Sequence, residues 1–151
     1  MTDRKPHVLI VEAPYYTHIA ALLREGAERA LADAGATFET VQVPGAFEVP
    51  AAIGMAAEAE GRFDGFVALG CVIRGETTHY DHICEETAHW LQVLAVDEGL
   101  AIGYGILTCE NEQQALHRAN PSGNGRDHGG AAARACVAMV GVKRRFSGDG
   151  K

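Results

Sequence analysis

Apolar and polar residues along this chain switch repeatedly between a period of two and a period of about 3.6. HVLIV, His7 to Val11, is a short β-branched run that reads as a strand. From Thr17 the apolar positions Ile19, Leu22, Leu23, Ala27, Ala30 and Leu31 recur at helical spacing, and Gly35 supplies the stop. FETVQV, Phe38 to Val43, alternates apolar with polar as a half-buried strand does, and Pro44 and Gly45 close it. A short helix is expected from about Pro50 to Glu60, with proline in the first turn where its missing N–H costs nothing. DGFVALGCVI, Asp64 to Ile73, is continuously apolar and predicts a strand buried on both faces. Thr78 and Asp81 then have capping-box spacing, and Ile83, Thr87, Trp90, Leu91 and Leu94 continue at helical spacing to Gly99. AIGYGILT gives a fourth strand, ENEQQALHRA a fourth helix, and GGAAARACVAMVGVKRRF a fifth whose basic end suits the helix dipole.

Strands that alternate with helices of this length need crossover connections, hence a parallel sheet covered on both faces. The expected architecture is a single domain built as a three-layer α/β/α sandwich around four parallel strands. In such sheets ligands bind outside the carboxyl ends of the strands. Four segments fall there: Ala13 to Tyr16, Pro44 to Val49, Val72 to His79 and Thr108 to Asn111. The first three are rich in aromatic, acidic and imidazole groups.

Composition narrows the function classes. At 151 residues, with 47% hydrophobic and 22% charged residues, the chain can bury a core in one globular unit. The formal net charge is -7, and Lys143, Arg144 and Arg145 form the one basic run, so a nucleic-acid partner is not expected. No apolar stretch has the length of a membrane span, and MTDRKPHVLIVEAP meets an acid before a signal-peptide core could form; the expectation is a cytoplasmic protein. Cys71, Cys84, Cys109 and Cys136 are widely spaced without a CxxC pair and read as reduced, mostly buried thiols.

The segment GETTHYDH, Gly75 to His82, carries the densest chemistry. Gly75 permits close backbone approach, while Glu76, Thr77 and Thr78 bring successive N–H groups and two hydroxyls to a helix N-terminus, an anion site. His79 lies in the first turn beside it, where a neutral imidazole could move a proton near pH 7. The same residues also fit a plain helix cap with His79 facing solvent. His79, His82 and Cys84 could ligate zinc, but no second Cys/His pair has structural spacing, and no metal is expected. GxGxxG, P-loop and GxSxG patterns are absent. Tyr15 and Tyr16 could hold a planar ring or form a surface pair over the sheet edge. Phe47 and Glu48 could hold a ring and a polyol, or be a core residue and a helix N-terminal acid.

PGAFEVP (Pro44 to Pro50), GCVIRGETTHYDHI (Gly70 to Ile83) and GILTCENEQQALHRA (Gly105 to Ala119) resemble, in order and spacing, the three signature blocks of the 6,7-dimethyl-8-ribityllumazine synthase family. The resemblance covers about residues 7 to 146. It implies a flavodoxin-like fold and a transferase of riboflavin biosynthesis. That enzyme condenses 5-amino-6-ribitylaminouracil with 3,4-dihydroxy-2-butanone 4-phosphate, without metal or redox cofactor. By similarity, Tyr15 would stack on the pyrimidine, Ala46, Phe47 and Glu48 would line the pyrimidine and ribityl pocket, and Val72 and Ile73 would contact the ring. Gly75, Glu76, Thr77 and Thr78 would cradle phosphate, and His79 matches the proton-transfer histidine. From a neighbouring subunit Tyr104 would close the pocket and Arg118 would grip the phosphate. Arg74 is assigned a structural role.

Departures from the family pattern sit at two places. Pro14 stands where arginine is frequent, and after Arg118 the chain reads NPSGNGRDHGGAAA in place of a turn containing Asn-Lys-Gly. His128 or Arg126 would replace the lysine, or nothing does; aligning back from the last helix points to His128, which would carry less charge near neutral pH and make phosphate binding weaker or more pH-dependent. The resemblance further implies a cyclic homopentamer whose active site is shared between neighbours, with a functional link to riboflavin synthase. The lengthened loop after Arg118 suggests free or paired pentamers in preference to a 60-subunit shell. A non-catalytic lumazine or riboflavin binder is the alternative reading, disfavoured because storage of a flavin needs neither a phosphate site nor a proton carrier.

Overall fold

The computed structural model describes residues 4–121 and 126–148. The extreme termini and the centre of the loop after Arg118 lie outside the described residues. Four strands, β1 (His7–Glu12), β2 (Thr37–Gln42), β3 (Gly65–Ile73) and β4 (Ile102–Cys109), pair in parallel in the order β2-β1-β3-β4. The helices between them are α1 (Thr17–Asp33), α2 (Val49–Ala57), α3 (His79–Asp97), α4 (Glu112–Ala119) and α5 (His128–Ser147).

Strand periodicity sorts the core into two layers. Val8 and Ile10 of β1, with Val67, Leu69 and Cys71 of β3, pack under Ile19, Leu23 and Leu31 of α1 and Ala132, Ala133 and Cys136 of α5. Leu9 and Val11, with Phe66 and Ala68, face the other way, onto Val49 and Ile53 of α2 and Leu91 of α3. Central β3 is therefore buried on both faces over seven residues, as its unbroken apolar run predicts. Edge strand β2 is barer than its alternation suggests: only Phe38 and Glu39 are half-buried.

Glycines let α5 approach both its neighbours. A side chain at Gly129 would meet the Leu23 carbonyl oxygen at 2.1 Å, and one at Gly103 would meet the Ala132 carbonyl oxygen. Close approach of this kind seats the N-terminus of α5 against α1 and β4.

The predicted capping box at α3 does not form. Thr78 has helical backbone angles and makes no capping hydrogen bond, and Asp81 instead pairs with Arg74 at 3.4 Å. α2 starts at Val49 with Pro50 in its first turn, and is preceded by a 3-10 turn over Ala46–Glu48 that the sequence pattern did not suggest. No helix among the described residues is long and apolar enough to cross a membrane.

Candidate active site

Three strand ends converge on one cavity of about 620 Å³. Its walls are Tyr15 and Tyr16 after β1, Pro44 to Glu48 after β2, Cys71 to Ile73 of β3, and His79 and Ile83 from the first turns of α3. Parallel pairing sets this up, because β1 and β2 run in register from His7 opposite Thr37 to Glu12 opposite Gln42. Pairing continues past the ends: Ala13 N–H donates to the Leu69 carbonyl and Val43 N–H to the Glu12 carbonyl, each at 2.9 Å. The loops therefore leave the sheet from fixed points at one end.

Each wall has a physical reason for its shape. The 3-10 turn buries Ala46 beneath the Thr87 hydroxyl, 3.5 Å from the Ala46 carbonyl, and turns Phe47 and Glu48 outward. Phe47 is 59% exposed, which removes the core-residue reading for it. Tyr15 is 74% exposed and meets Tyr16 edge-on, ring centroids 4.9 Å apart, while Tyr16 packs against the core. Burial, then Cys71, Tyr15 and Glu112, raises the Tyr16 hydroxyl above its ordinary pKa. Burial pushes the Cys71 thiol up to about 12, so at neutral pH this wall is an uncharged, weakly polar surface. The result is a mostly apolar slot with one carboxylate and one imidazole at its rim.

The residues expected to bind phosphate fall in two places. Gly75, Glu76, Thr77 and Thr78 form an exposed loop entering α3, where His79 N–H donates to Thr77 Oγ1 at 3.3 Å. Arg118 and His128 come together elsewhere, on α4 and at the start of α5. Arg126 N–H donates to the His117 carbonyl at 2.7 Å, and Ala119 bridges Asp127, which staples the two helix ends. Asp127 caps α5 by accepting from Gly130 N–H at 2.9 Å. Burial, then Arg118 and Arg126, holds His128 below its ordinary pKa of 6.5, while Asp127 works the other way.

Neither Arg118, His128 nor Tyr104 lines the 620 Å³ cavity of this chain. Tyr104, on β4, is 47% exposed and borders a separate groove with Leu91, Gln92 and Ala95 of α3. Another cleft, of about 580 Å³ beside β2, is lined by Glu12, Arg24 and Glu28. Its buried carboxylate, Glu12, already accepts from Arg24 and Gln42. Among the described residues no three His, Cys, Asp or Glu side chains gather as a metal site. Sequence reasoning did not single out Cys71 or Ile83 as lining residues; their place two before Ile73 on a strand and four after His79 on a helix was the available signal.

An open parallel sheet with an aromatic slot, an acid and an imidazole at its strand ends has the layout of the ligand sites of α/β enzymes. A family profile described as 6,7-dimethyl-8-ribityllumazine synthase matches residues 5–144, and the chain belongs to that family. It is 52% identical to the 6,7-dimethyl-8-ribityllumazine synthase of Agrobacterium fabrum (strain C58 / ATCC 33970), over 95% of this chain and 99% of that one. It is 54% identical to that of Sphingopyxis alaskensis, over 93% and 96% of the two chains. It is 50% identical to 6,7-dimethyl-8-ribityllumazine synthase 1 of Rhizobium meliloti (strain 1021), over 99% of each.

Proposed function

We propose that this chain, as a single domain, condenses 5-amino-6-ribitylaminouracil with 3,4-dihydroxy-2-butanone 4-phosphate. The products are 6,7-dimethyl-8-ribityllumazine, phosphate and water. The observation that carries the reading is the slot at the ends of β1, β2 and β3, with Tyr15, Phe47, Glu48, Val72, Ile73 and His79 around one space. Tyr15 and Phe47 offer aromatic surface to the pyrimidine, with Ala46, Val72 and Ile73 as the apolar walls. Glu48 accepts hydrogen bonds from ribityl hydroxyls. The Gly75 to Thr78 loop supplies N–H groups for the phosphate, and His79 exchanges a proton with the condensing groups.

The amine attacks the ketone, the carbinolamine loses water to an imine, proton removal from the hydroxyl-bearing carbon expels phosphate to give an enol, and after the enol becomes a ketone the second amine closes the ring with loss of a second water. Each step needs alignment and proton transfer. Holding two reactants in register lowers such barriers by about 7 to 11 kcal/mol in favourable cases, whereas one acid–base group adds roughly 10²- to 10⁴-fold. Alignment therefore dominates, and the slot is its instrument.

Tyr104, Arg118 and His128 complete the site from the adjacent subunit of a cyclic homopentamer. The support is that all three lie outside the cavity of their own chain, and that Tyr104 leaves ring surface uncovered. The product's consumer would be riboflavin synthase, in the same cytoplasm. The test mixes purified protein with the two substrates and follows lumazine absorbance. Acceleration over background that drops roughly 10²- to 10⁴-fold in His79→Ala supports the reading. Absence of acceleration, with tight lumazine or riboflavin binding, replaces it with a flavin binder.

A further inference from the structure

The entrance to α3, which carries His79, is poorly held by the helix itself. Thr78 offers no capping bond, and the first fully buried residue of α3 is Thr87, two turns further on. Short exposed helix ends without tertiary anchors fray. Ile83, one turn in, packs against the core, and Arg74 ties down the turn before it. The Arg74 backbone N–H donates to the Cys109 carbonyl at 2.9 Å, extending the β3–β4 pairing beyond Ile73. Its Nε donates to Glu110 Oε2 at 3.0 Å, and an Nη lies 3.4 Å from Asp81 Oδ1. Its guanidinium carbon lies over the Tyr80 ring, 4.3 Å from the centroid.

Three partners are thus held by one rigid planar group: Glu110 at the end of β4, and Tyr80 and Asp81 directly after His79. Glu110 is itself fixed, because its N–H donates to Gln114 Oε1 at 2.8 Å, and Asn111 caps α4 through Gln114 N–H. Tyr80 also lies close to Thr108 on β4. The strand ends therefore act as a fixed frame, and Arg74 transmits that frame to the first turn of α3.

We propose that Arg74 is a positioning residue for the reaction, acting by holding the His79 turn of α3 at the rim of the cavity. It touches no substrate, and its effect passes through His79. This rests on the assignment of His79 to proton transfer made above. A general acid–base group works only within hydrogen-bond reach of its proton, and a misplacement of about 1 Å can cost roughly 10²-fold.

The experiment is a double-mutant cycle on kcat with wild type, Arg74→Met, His79→Ala and the combined variant. Thermal denaturation and the NMR resonance of the His79 ring are recorded in parallel. Arg74→Met is expected to lower kcat roughly 10- to 100-fold and leave the pyrimidine KM within about twofold. It is also expected to move the His79 resonance and to cause no further loss in the His79→Ala background. Arg74→Lys should not restore kcat, since a point charge cannot face Tyr80 and meet both carboxylates. A full Arg74→Met loss on top of His79→Ala, or an unmoved His79 resonance, overturns the proposal. If wild type makes no lumazine, the functional reading fails by itself, and the His79 resonance decides the positioning role: moved supports it, unmoved overturns it. Should Arg74→Met not fold, Glu110→Gln and Asp81→Asn take its place in the cycle.

Discussion

Gly26, in the middle of α1, tests how α5 and its His128 are seated. A methyl group there would lie 2.2 Å from Asp127 Oδ1, 3.1 Å from its Cγ and 3.2 Å from Gly130 N. Asp127 cannot swing away freely, because the same carboxylate oxygen caps Gly130 N–H. Gly26→Ala therefore displaces the cap, costing about 1 kcal/mol, and overpacks the α1–α5 seam, costing about 1 to 3 kcal/mol. Replacing a mid-helix glycine returns about 1 kcal/mol. The net loss is about 1 to 3 kcal/mol, or roughly 2 to 12 °C in Tm at this chain length. Gly141→Ala, within α5 and with nothing within 4 Å of the added carbon, should have the opposite sign. Thermal and urea unfolding by circular dichroism at one fixed protein concentration reads all of this. Asp127→Ala should cost about 1 kcal/mol alone, yet adding Gly26→Ala to it should cost nothing more, because the clash has gone. A Gly26→Ala protein as stable as wild type, or strict additivity with Asp127→Ala, refutes the reasoning.

Other consequences are as direct. Because burial and the two arginines hold His128 below 6.5, it is neutral at pH 7 and gains charge only as pH falls further. Inhibition by sulfate, which does not titrate in this range, should therefore strengthen as pH drops through that lowered value, and His128→Lys should flatten the dependence. Tyr15→Ala should raise the pyrimidine KM roughly tenfold, the worth of one stacking face, with the butanone phosphate KM little changed in steady-state kinetics. Burial pushes the Cys136 thiol up to about 12 with no exposed surface, so a thiolate-specific reagent at pH 8 should leave it unmodified until the chain unfolds.

Much of the fold can be read from periodicity because the strands are either doubly buried or sharply bounded. β3 has no polar residue to interrupt its run, and Gly35 and Gly99, both with positive φ, mark the ends of α1 and α3. Local pattern fails where a long-range partner outbids it. Asp81 has the spacing of a capping acid, but Arg74 takes it across a loop, and Thr78 is left without that role. The 3-10 turn at Ala46–Glu48 is set by burial of Ala46 beneath α3, a contact with no sequence period. The same limit applies to the site. Loop chemistry pointed to Tyr15, Phe47, Glu48 and His79 as candidates, each beside a bland alternative, and the strand ends bring them around one cavity. Arg118 and His128 are separated in sequence by the loop that differs from the family pattern, and they meet through the Ala119–Asp127 bridge, which no spacing announces.

The most direct measurement mixes two crippled proteins. Equal amounts of His79→Ala and Arg118→Ala chains are unfolded together, refolded, and assayed for lumazine formation against each variant refolded alone. If His79 of one subunit and Arg118 of its neighbour serve one cavity, about a quarter of the sites in randomly mixed rings regain both groups, and activity returns in proportion. No gain above the separate variants, with mixed oligomers demonstrated, would mean that the site is not built across the subunit boundary.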